Sequence, residues 1–244
     1  MASALLVWSS TVSLSSLLLI FFSVMGIICP MYPFAQADEA LDLQGLLSFK
    51  KSISRDPMNA LFDWNNKAHH CNWSGIACDS LNNVVSITFF NKQLEGVISP
   101  AIANISNLNS LDLDTNLLHG TIPPQLAECS QLAYLVLFGN NLIGRIPSSL
   151  GKLSALDYMD LGNNYLEGSI PDAIVNCTTL SVVIFSGNHF TELGGLDMAQ
   201  FVDLSNNKLP GTMPAAFGGC SNLQGLDLSS NNLQGKIHVP LSGF

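Results

Sequence analysis

The residues best suited to chemistry in this chain of 244 residues lie in one short segment, HHCNWSGIAC, at positions 69 to 78. Its two histidines and two cysteines could bind zinc, but no second CxxC-like pair follows to complete a tetrahedral site. In an oxidising compartment, two cysteines this close are expected to form a disulfide. We therefore predict a disulfide between Cys71 and Cys78, and no metal site.

Catalytic motifs are not found elsewhere in the sequence. It contains no GxSxG, HExxH, P-loop or kinase signature, and His189 in GNHF has no partnered nucleophile. The acid pair Asp112 and Asp114 points the same way from one short strand, as solvated side chains do. We expect neither enzymatic activity nor a cofactor.

The amino-terminal segment predicts export. The first 37 residues carry no charged side chain, and the apolar run from 12 to 28 is followed by Ala35-Gln36-Ala37, a small-x-small cleavage pattern. We predict a signal peptide over residues 1–37, with an uncleaved signal anchor as the alternative. Three N-glycosylation acceptors, Asn72, Asn104 and Asn176, agree with the secretory pathway. The expected location of the protein is therefore extracellular.

The overall charge argues against nucleic acid as a partner. The chain has 9 basic and 18 acidic residues, and a formal net charge of −9. Proteins that bind nucleic acid usually present a basic face to the phosphates. The sequence lacks the composition for such a face.

Most of the remaining sequence is a repeat with a period of 24 residues, and its unit is LxxLxLxxNxLxGxIPxxLxxLxx. Self-similarity at such a period predicts a solenoid. We expect its asparagines to form a hydrogen-bonded ladder. The ladder residues are Asn116, Asn140, Asn164, Asn188, Asn207 and Asn231. The spacing fails once, since Asn207 follows Asn188 after 19 positions.

Each part of the unit has a physical role. The LxL alternation predicts a short strand with its leucines turned inward. The asparagine satisfies buried backbone groups at the turn, where glycine permits unusual backbone angles and proline fixes an extended segment. We place an amino-terminal cap with Trp64 and Trp73 in its core at 38–83, and repeats 1–5 at 84–191. An irregular junction at 192–200 and repeats 6–7 at 201–244, without a carboxyl-terminal cap, complete the array.

The repeat resembles the plant-type leucine-rich repeat, and SFKKSISRDPMNALFDWNNKAHHCNWSGIACD resembles the amino-terminal cap of plant leucine-rich-repeat receptor kinases. The segment HCNWSGIACDSLNNVVSITFFNKQLEGVISPAIANISNLNSLDL is similar to the flagellin-sensing members in particular. The resemblance implies an α/β leucine-rich-repeat solenoid, a curved right-handed horseshoe. Short parallel strands would line its concave face, and 3₁₀ or irregular segments its convex face, behind a helical cap.

The same resemblance implies partners and a location. They are a peptide or protein ligand, with a flagellin-derived segment as one candidate, and a co-receptor kinase ectodomain, met in the apoplast or at the plasma membrane. Such receptors carry more repeats, a membrane helix and a kinase domain. The short spacing before Asn207 suggests lost central repeats, although a native short coil is the alternative. In either case we expect imperfect packing between residues 190 and 200.

The candidate ligand contacts are side chains expected to point outward from the concave strands. They combine an apolar track with a column of aspartates, which suits an extended peptide with basic and apolar residues. The candidates are Phe90, Asp112, Asp114, Tyr134, Val136, Phe138, Tyr158, Asp160, Ile184 and Ser186.

A second function remains open at this stage: a soluble secreted inhibitor of a microbial cell-wall-degrading enzyme, resembling the polygalacturonase-inhibiting proteins, or a decoy receptor form. Such inhibitors close the last coil with a cap that has its own cysteine pair. This sequence ends in HVPLSGF, without that pair. We therefore expect Leu226, Leu228 and Leu233 to lie at an open edge that favours self-association.

Overall fold

The structure is a computed structural model that describes residues 32–194, 196, 198–212 and 222–234. Most of the predicted signal peptide lies outside these residues. Residues 32–37 begin helix α1, which spans Tyr32–Ser52. Within the described residues, no helix has the length and apolar character needed to cross a bilayer.

The amino-terminal cap consists of α1, strand β1 (Ile53–Arg55), the 3₁₀ helix η1 (His70–Asn72) and strand β2 (Ile76–Cys78). Its core is aromatic: the Trp64 ring stacks on Trp73 at 5.4 Å and lies 5.5 Å from Phe89 of the first coil. Trp64 and Trp73 are both buried, so their prediction as cap core is confirmed. This cluster covers the first hydrophobic coil, which would otherwise expose its leucine positions.

Eight strands form one continuous sheet, whose outer face we call the concave face. After β2 come β3 (Val84–Thr88), β5 (Ser110–Asp112), β7 (Tyr134–Val136), β9 (Tyr158–Asp160), β11 (Val182–Ile184), β13 (Phe201–Asp203) and β15 (Gly225–Asp227). All pair in parallel except β2, which is antiparallel to β3. The inward positions of the LxL pattern are buried in the first six units, which explains why each contributes one short strand, and those of the seventh are half-buried.

A second sheet lies beside the first along the array, and the sequence pattern did not predict it. Strand β1 pairs antiparallel with β4 (Glu95–Val97), and four strands follow in parallel: β6 (Leu117–Gly120), β8 (Asn141–Gly144), β10 (Tyr165–Ser169) and β12 (His189–Glu192). A separate pair joins β14 (Pro210–Gly211) to β16 (Asn232–Leu233). The predicted 3₁₀ helices are η2 (Pro100–Asn104), which follows Ile98-Ser99, and η3 (Pro124–Glu128), η4 (Ser148–Lys152) and η5 (Asp172–Asn176), which follow IP segments.

The asparagine ladder connects each coil to the one before it. The Asn140 side-chain oxygen accepts a hydrogen bond from the Leu118 N–H at 3.0 Å, and its amide donates to the Leu113 carbonyl, also at 3.0 Å. The amide also donates to the carbonyls of Leu137 and Phe138 within its own coil. One buried side chain thus satisfies several backbone groups that face no water.

The asparagine ladder and the first, eight-stranded sheet continue through the short unit without interruption. Asn207 accepts from the Phe190 N–H at 3.0 Å and donates to the Phe185 carbonyl at 3.0 Å, while β11 pairs in register with β13. The expectation of imperfect packing at 190–200 is therefore wrong for the first sheet, because the residues missing from this unit come from the opposite side. The second sheet agrees with the expectation, since it ends at β12 after a register shift and β14 does not continue it. Between β12 and β13 the described residues contain no 3₁₀ helix.

The convex side of the short unit closes by a different route. Leu196 and Ala199 are buried there and line a small cavity of about 10 Å³ with Ile174, Cys177 and Leu180. A Cβ at Gly194 would lie 2.3 Å from the Ile170 carbonyl oxygen, so glycine allows the closest approach to the previous coil. A shorter connection thus replaces the helix while the core stays covered.

Two cysteines of the convex side, Cys129 and Cys177, are free and buried, and burial raises their thiol pKa values to about 12 and about 11. Each thiol donates to a carbonyl of the preceding coil, at Ile102 and Leu150. Cys220 and residues 235–244 of the predicted open end lie outside the described residues, while Leu226, Leu228 and Leu233 are half-buried.

Candidate ligand-binding surface

Parallel pairing in register arranges the concave side chains in rows across the strands. The row after the first leucine of each strand contains Thr88, Asp112, Val136, Asp160, Ile184, Asp203 and Asp227. Neighbouring strands lie about 4.8 Å apart, so a ligand crossing several strands meets these side chains in order. The candidate residues, which come from five separate units, are thereby brought onto one surface.

Exposed aromatic side chains stand beside this row. Phe90 is 55% exposed and Tyr134 45%, which agrees with their selection as candidate contacts. Phe201 is 47% exposed and pairs with Val182 in the row that contains Tyr134 and Tyr158. We did not select Phe201, although its position before the first apolar strand residue matches that of the two tyrosines. Val136, Phe138, Tyr158, Ile184 and Ser186 are half-buried on the same face.

Asp160 does not fit the prediction of an exposed contact. It is only 8% exposed, and its Oδ1 accepts a hydrogen bond from the Gly162 N–H at 2.9 Å. A Cβ at Gly162 would lie 3.0 Å from the Phe138 ring and 3.2 Å from Asp160 Oδ1, so the glycine leaves room for both groups to pack closely. Burial, together with the charges of Asp114, Asp203 and Asp112, raises the pKa of Asp160 to about 6, although the hydrogen bond from Gly162 opposes this shift.

The other aspartates of the row lie on the concave face and also stabilise the backbone next to them. Asp112, Asp203 and Asp227 each accept, through Oδ1, from the backbone N–H two residues further along. This local bond stabilises the turn out of the strand and fixes the carboxylate on the concave face.

The surface around Tyr158 is electronegative. Burial raises the pKa of its phenol, and the negative charges of Asp160, Asp114 and Asp112 raise it further. None of the strands β3, β5, β7, β9, β11, β13 and β15 carries a lysine or an arginine. The face therefore favours cationic groups between its aromatic side chains.

The cysteine pair forms the predicted disulfide: Cys71 and Cys78 are bonded at 2.02 Å, with their Cα atoms 5.6 Å apart. Ligand atoms of His69, His70 and Cys71 lie within 4.8 Å of one another, but the disulfide occupies the sulfur. His69 Nδ1 accepts from the Cys71 N–H at 3.2 Å, so Nε2 carries the proton that it donates to Glu39 at 2.7 Å. These interactions hold the segment that carries η1.

Two of the predicted glycosylation acceptors lie on the convex side. Asn104 and Asn176 are the last residues of the 3₁₀ helices η2 and η5; Asn176 is exposed and Asn104 half-buried. Glycans at these two positions would leave the concave face open. The third acceptor, Asn72, is exposed at the end of η1, which lies beside β2 of the first sheet.

A parallel concave sheet, an asparagine ladder and a disulfide-closed helical cap define a leucine-rich-repeat solenoid. Family models agree: residues 39–79 match the leucine rich repeat N-terminal domain. The leucine rich repeat itself matches five segments, at 107–129, 131–153, 155–177, 198–220 and 222–244.

Similar proteins refine this class. One similar structure is the crystal structure of a pollen receptor kinase 3, whose sequence is 30% identical to this chain. The two structures superpose with a TM-score of 0.68, over 81% of this chain and 97% of that one. This chain is 28% identical to the ectodomain of the Arabidopsis receptor kinase HAESA in complex with an IDA peptide hormone ligand, with a TM-score of 0.71 over 80% of this chain. A probable LRR receptor-like serine/threonine-protein kinase of Arabidopsis thaliana is 43% identical over 68 residues, or 28% of this chain.

These matches show that the chain belongs to the family of plant leucine-rich-repeat receptor kinases, to whose ectodomains it corresponds. It spans 7% of the length of the Arabidopsis kinase and 34% of the HAESA ectodomain.

Proposed function

We propose that this protein is a non-catalytic extracellular recognition module of a plant immune-type receptor, and that it binds an extended peptide or protein segment on its concave face. The observation that carries the proposal is the combination of exposed Phe90 and Tyr134 with an aspartate row on strands that have no basic residue. Such a surface favours a ligand with alternating basic and apolar side chains.

The binding energy would come from a few positions on this surface. Aromatic side chains lose little conformational entropy when a ligand covers them, and they dominate many interfaces. Asp112 and Asp114 are half-exposed, so they can pair with a cation without a large desolvation cost. Asp160 contributes through its charge, since the Phe138 side of the surface leaves it little room for direct contact.

The similarity to HAESA supports a peptide as the ligand class, because that ectodomain was solved with a peptide hormone. The resemblance to flagellin-sensing receptors makes a flagellin-derived segment one candidate, and a co-receptor kinase ectodomain a further partner. The extracellular location of such ectodomains agrees with the sequons and the amino-terminal segment of this chain.

The test is binding of a peptide panel to the immobilised full chain. Peptides with alternating Lys or Arg and apolar residues are compared with matched peptides that carry Gln in place of each basic residue. We expect the basic set to bind, and the double variant Asp112→Asn/Asp114→Asn to weaken binding by about tenfold. Tyr165→Ala, on the exposed face of the second sheet, is the matched control and should bind normally.

Two results would speak against this function. Equal binding of the basic and Gln-substituted peptides would remove the charge argument. Binding that survives Phe90→Ala and the Asp112/Asp114 substitutions but is lost in Tyr165→Ala would place the ligand on the second sheet.

A further inference from the structure

The loop around the disulfide brings two imidazoles and two sulfurs together at one end of the cap. One ring nitrogen each of His69 and His70 and the Sγ atom of Cys71 lie within 4.8 Å of one another. The two imidazole rings lie next to each other, with their centroids 4.3 Å apart. Cys78 Sγ is bonded to Cys71 Sγ, so a fourth donor atom lies at the same point. The fold thus assembles the donor set of a His₂Cys₂ zinc site, with both sulfurs held in a disulfide.

The spacing of these donors is close to that of a metal site. Zinc binds sulfur at about 2.3 Å and imidazole nitrogen at about 2.0 Å in a tetrahedron, which places neighbouring donors about 3.3 to 3.8 Å apart. Atoms that lie within 4.8 Å of one another need to move by only about 1 to 1.5 Å to reach this spacing. The two sulfurs move apart when their bond breaks. The obstacle to zinc binding is therefore the disulfide, because its sulfurs carry no thiolate charge.

His69 already has the environment of a metal-binding histidine. Imidazoles that bind a metal through one nitrogen usually donate the other N–H to a carboxylate. His69 Nε2 donates to Glu39 at 2.7 Å, and Nδ1 accepts from the Cys71 N–H at 3.2 Å. Glu39 thus fixes the tautomer in which the Nδ1 lone pair faces the Cys71 segment.

His70 has a ring nitrogen that the fold leaves without a partner. The side chain is 3% exposed, and within the described residues its Nε2 is buried and makes no hydrogen bond. Such an unpaired nitrogen destabilises the fold, and a metal ion bound to the ring would remove that cost. A recess of about 410 Å³, lined among others by Glu39, His69 and His70, gives an ion access to this side of the cap.

We propose that the cap contains a latent zinc site, closed by the Cys71–Cys78 disulfide and formed by His69, His70, Cys71 and Cys78 when a dithiol reduces that bond. The dithiol supplies two electrons and two protons: the S–S bond breaks, the dithiol becomes its own disulfide, and Cys71 and Cys78 become thiols. Zinc then binds both as thiolates, and the two thiol protons pass to water. The inference does not depend on the proposed function, because it uses no residue of the candidate ligand surface.

The test titrates the reduced and the oxidised full chain with Co²⁺, a spectroscopic substitute for Zn²⁺. A phosphine reductant is used, because an excess of dithiol would itself bind the metal. We expect the reduced protein to bind one equivalent, with thiolate-to-cobalt charge-transfer absorption and the intense ligand-field bands of a tetrahedral site. The oxidised protein should show neither, and its affinity for Zn²⁺ should be at least about 100-fold weaker.

Matched variants assign the donors. Cys71→Ser/Cys78→Ser keeps every other cysteine and should abolish the charge-transfer absorption. His69→Ala should weaken Zn²⁺ binding by about 10- to 100-fold and shift the cobalt bands, because water replaces a nitrogen donor. Glu39→Gln should weaken binding by about tenfold without moving the bands. Lys67→Ala, which alters the lining of the same recess but removes no donor, should bind like the wild type.

The fluorescence of Trp64 and Trp73, which stack in the cap core, reports whether the reduced chain is folded before metal is added. If it is unfolded, Zn²⁺ should refold it, because a metal held by the folded cap stabilises that state. In either case, one equivalent of Zn²⁺ should slow iodoacetamide labelling of Cys71 and Cys78 at least about tenfold, as read by mass spectrometry of their peptides.

Four results would overturn the proposal. They are a reduced protein that gives no cobalt–thiolate absorption, unchanged labelling of the two cysteines with Zn²⁺, binding that survives in Cys71→Ser/Cys78→Ser, and equally tight Zn²⁺ binding by the oxidised chain. The last result would show that the disulfide does not close the site.

Discussion

The side-chain oxygen of Asn207 accepts a hydrogen bond from the backbone N–H of Phe190 at 3.0 Å, across a unit that is five residues shorter than the repeat of 24. The equivalent bond between Asn188 and Leu166 has the same length of 3.0 Å. The ladder thus continues where the residue count changes, so the concave surface on either side of the short unit is one surface.

Replacing Asn207 with Ala tests this continuity. The substitution leaves the Phe190 N–H and three carbonyls without their buried partner, and we expect a loss of about 2 to 4 kcal/mol in the free energy of unfolding. Urea denaturation measures the loss, with the exposed neighbour Lys208→Ala as control. Faster hydrogen exchange should appear at Phe190; an unchanged midpoint would show that the ladder does not hold this unit.

Because Asp160 is buried, its substitution should change the stability of the protein in a pH-dependent way. The folded pKa of about 6 lies above the ordinary 3.8, so the buried charge destabilises the fold above pH 6, and this cost disappears as the pH falls toward 4. Asp160→Asn, which can still accept from Gly162, should stabilise the protein at pH 7 by on the order of 1 to 3 kcal/mol.

The gain from Asp160→Asn should vanish near pH 4, where both proteins carry a neutral side chain. Thermal melts of the variant and the wild type at each pH give the difference, which cancels the other titrating groups. Among these is His70, whose pKa is lowered by burial and by the neighbouring His69. A gain that is independent of pH would mean that Asp160 is not buried as a charge.

The repeat pattern predicted the inward leucine positions and the ladder, because both depend on contacts between equivalent residues 24 positions apart. The disulfide was predicted separately, from the short spacing of Cys71 and Cys78 in a secreted chain. The repeat pattern did not predict the second sheet. Its strands β4, β6, β8, β10 and β12 pair through backbone groups and follow no apolar alternation of their own. The burial of Asp160 was missed for another reason: it depends on Gly162 and on the neighbouring Phe138, which a single strand pattern does not reveal.

The disulfide predicts a measurable part of the cap's stability. Cys71 and Cys78 are seven positions apart, and closing a loop of this size restricts the unfolded chain by about 2.5 kcal/mol in the entropy model. The double variant Cys71→Ser/Cys78→Ser should therefore unfold at lower urea concentration. Trp64 and Trp73 report on this through their fluorescence, because they stack beside the loop. Ala77→Ser, at an exposed position inside the loop, controls for local substitution.

The buried thiols should be unreactive in the native protein. Burial raises the pKa values of Cys129 and Cys177 to about 12 and about 11, so the thiolate is scarce at neutral pH. Iodoacetamide should label them only after unfolding in urea. Mass spectrometry of the two cysteine peptides checks this, and rapid native labelling would indicate that the convex side opens.

The most direct test of peptide recognition on the concave face is carboxyl footprinting. Carbodiimide labelling of the protein, with and without a bound peptide from the basic panel, is read by mass spectrometry at Asp112 and Asp114, with Glu167 on the second sheet as an internal reference. If the peptide binds the concave face, we expect it to protect Asp112 and Asp114 from labelling, while Glu167 is labelled equally in both samples. Protection of Glu167 with unchanged labelling of the two aspartates would contradict it.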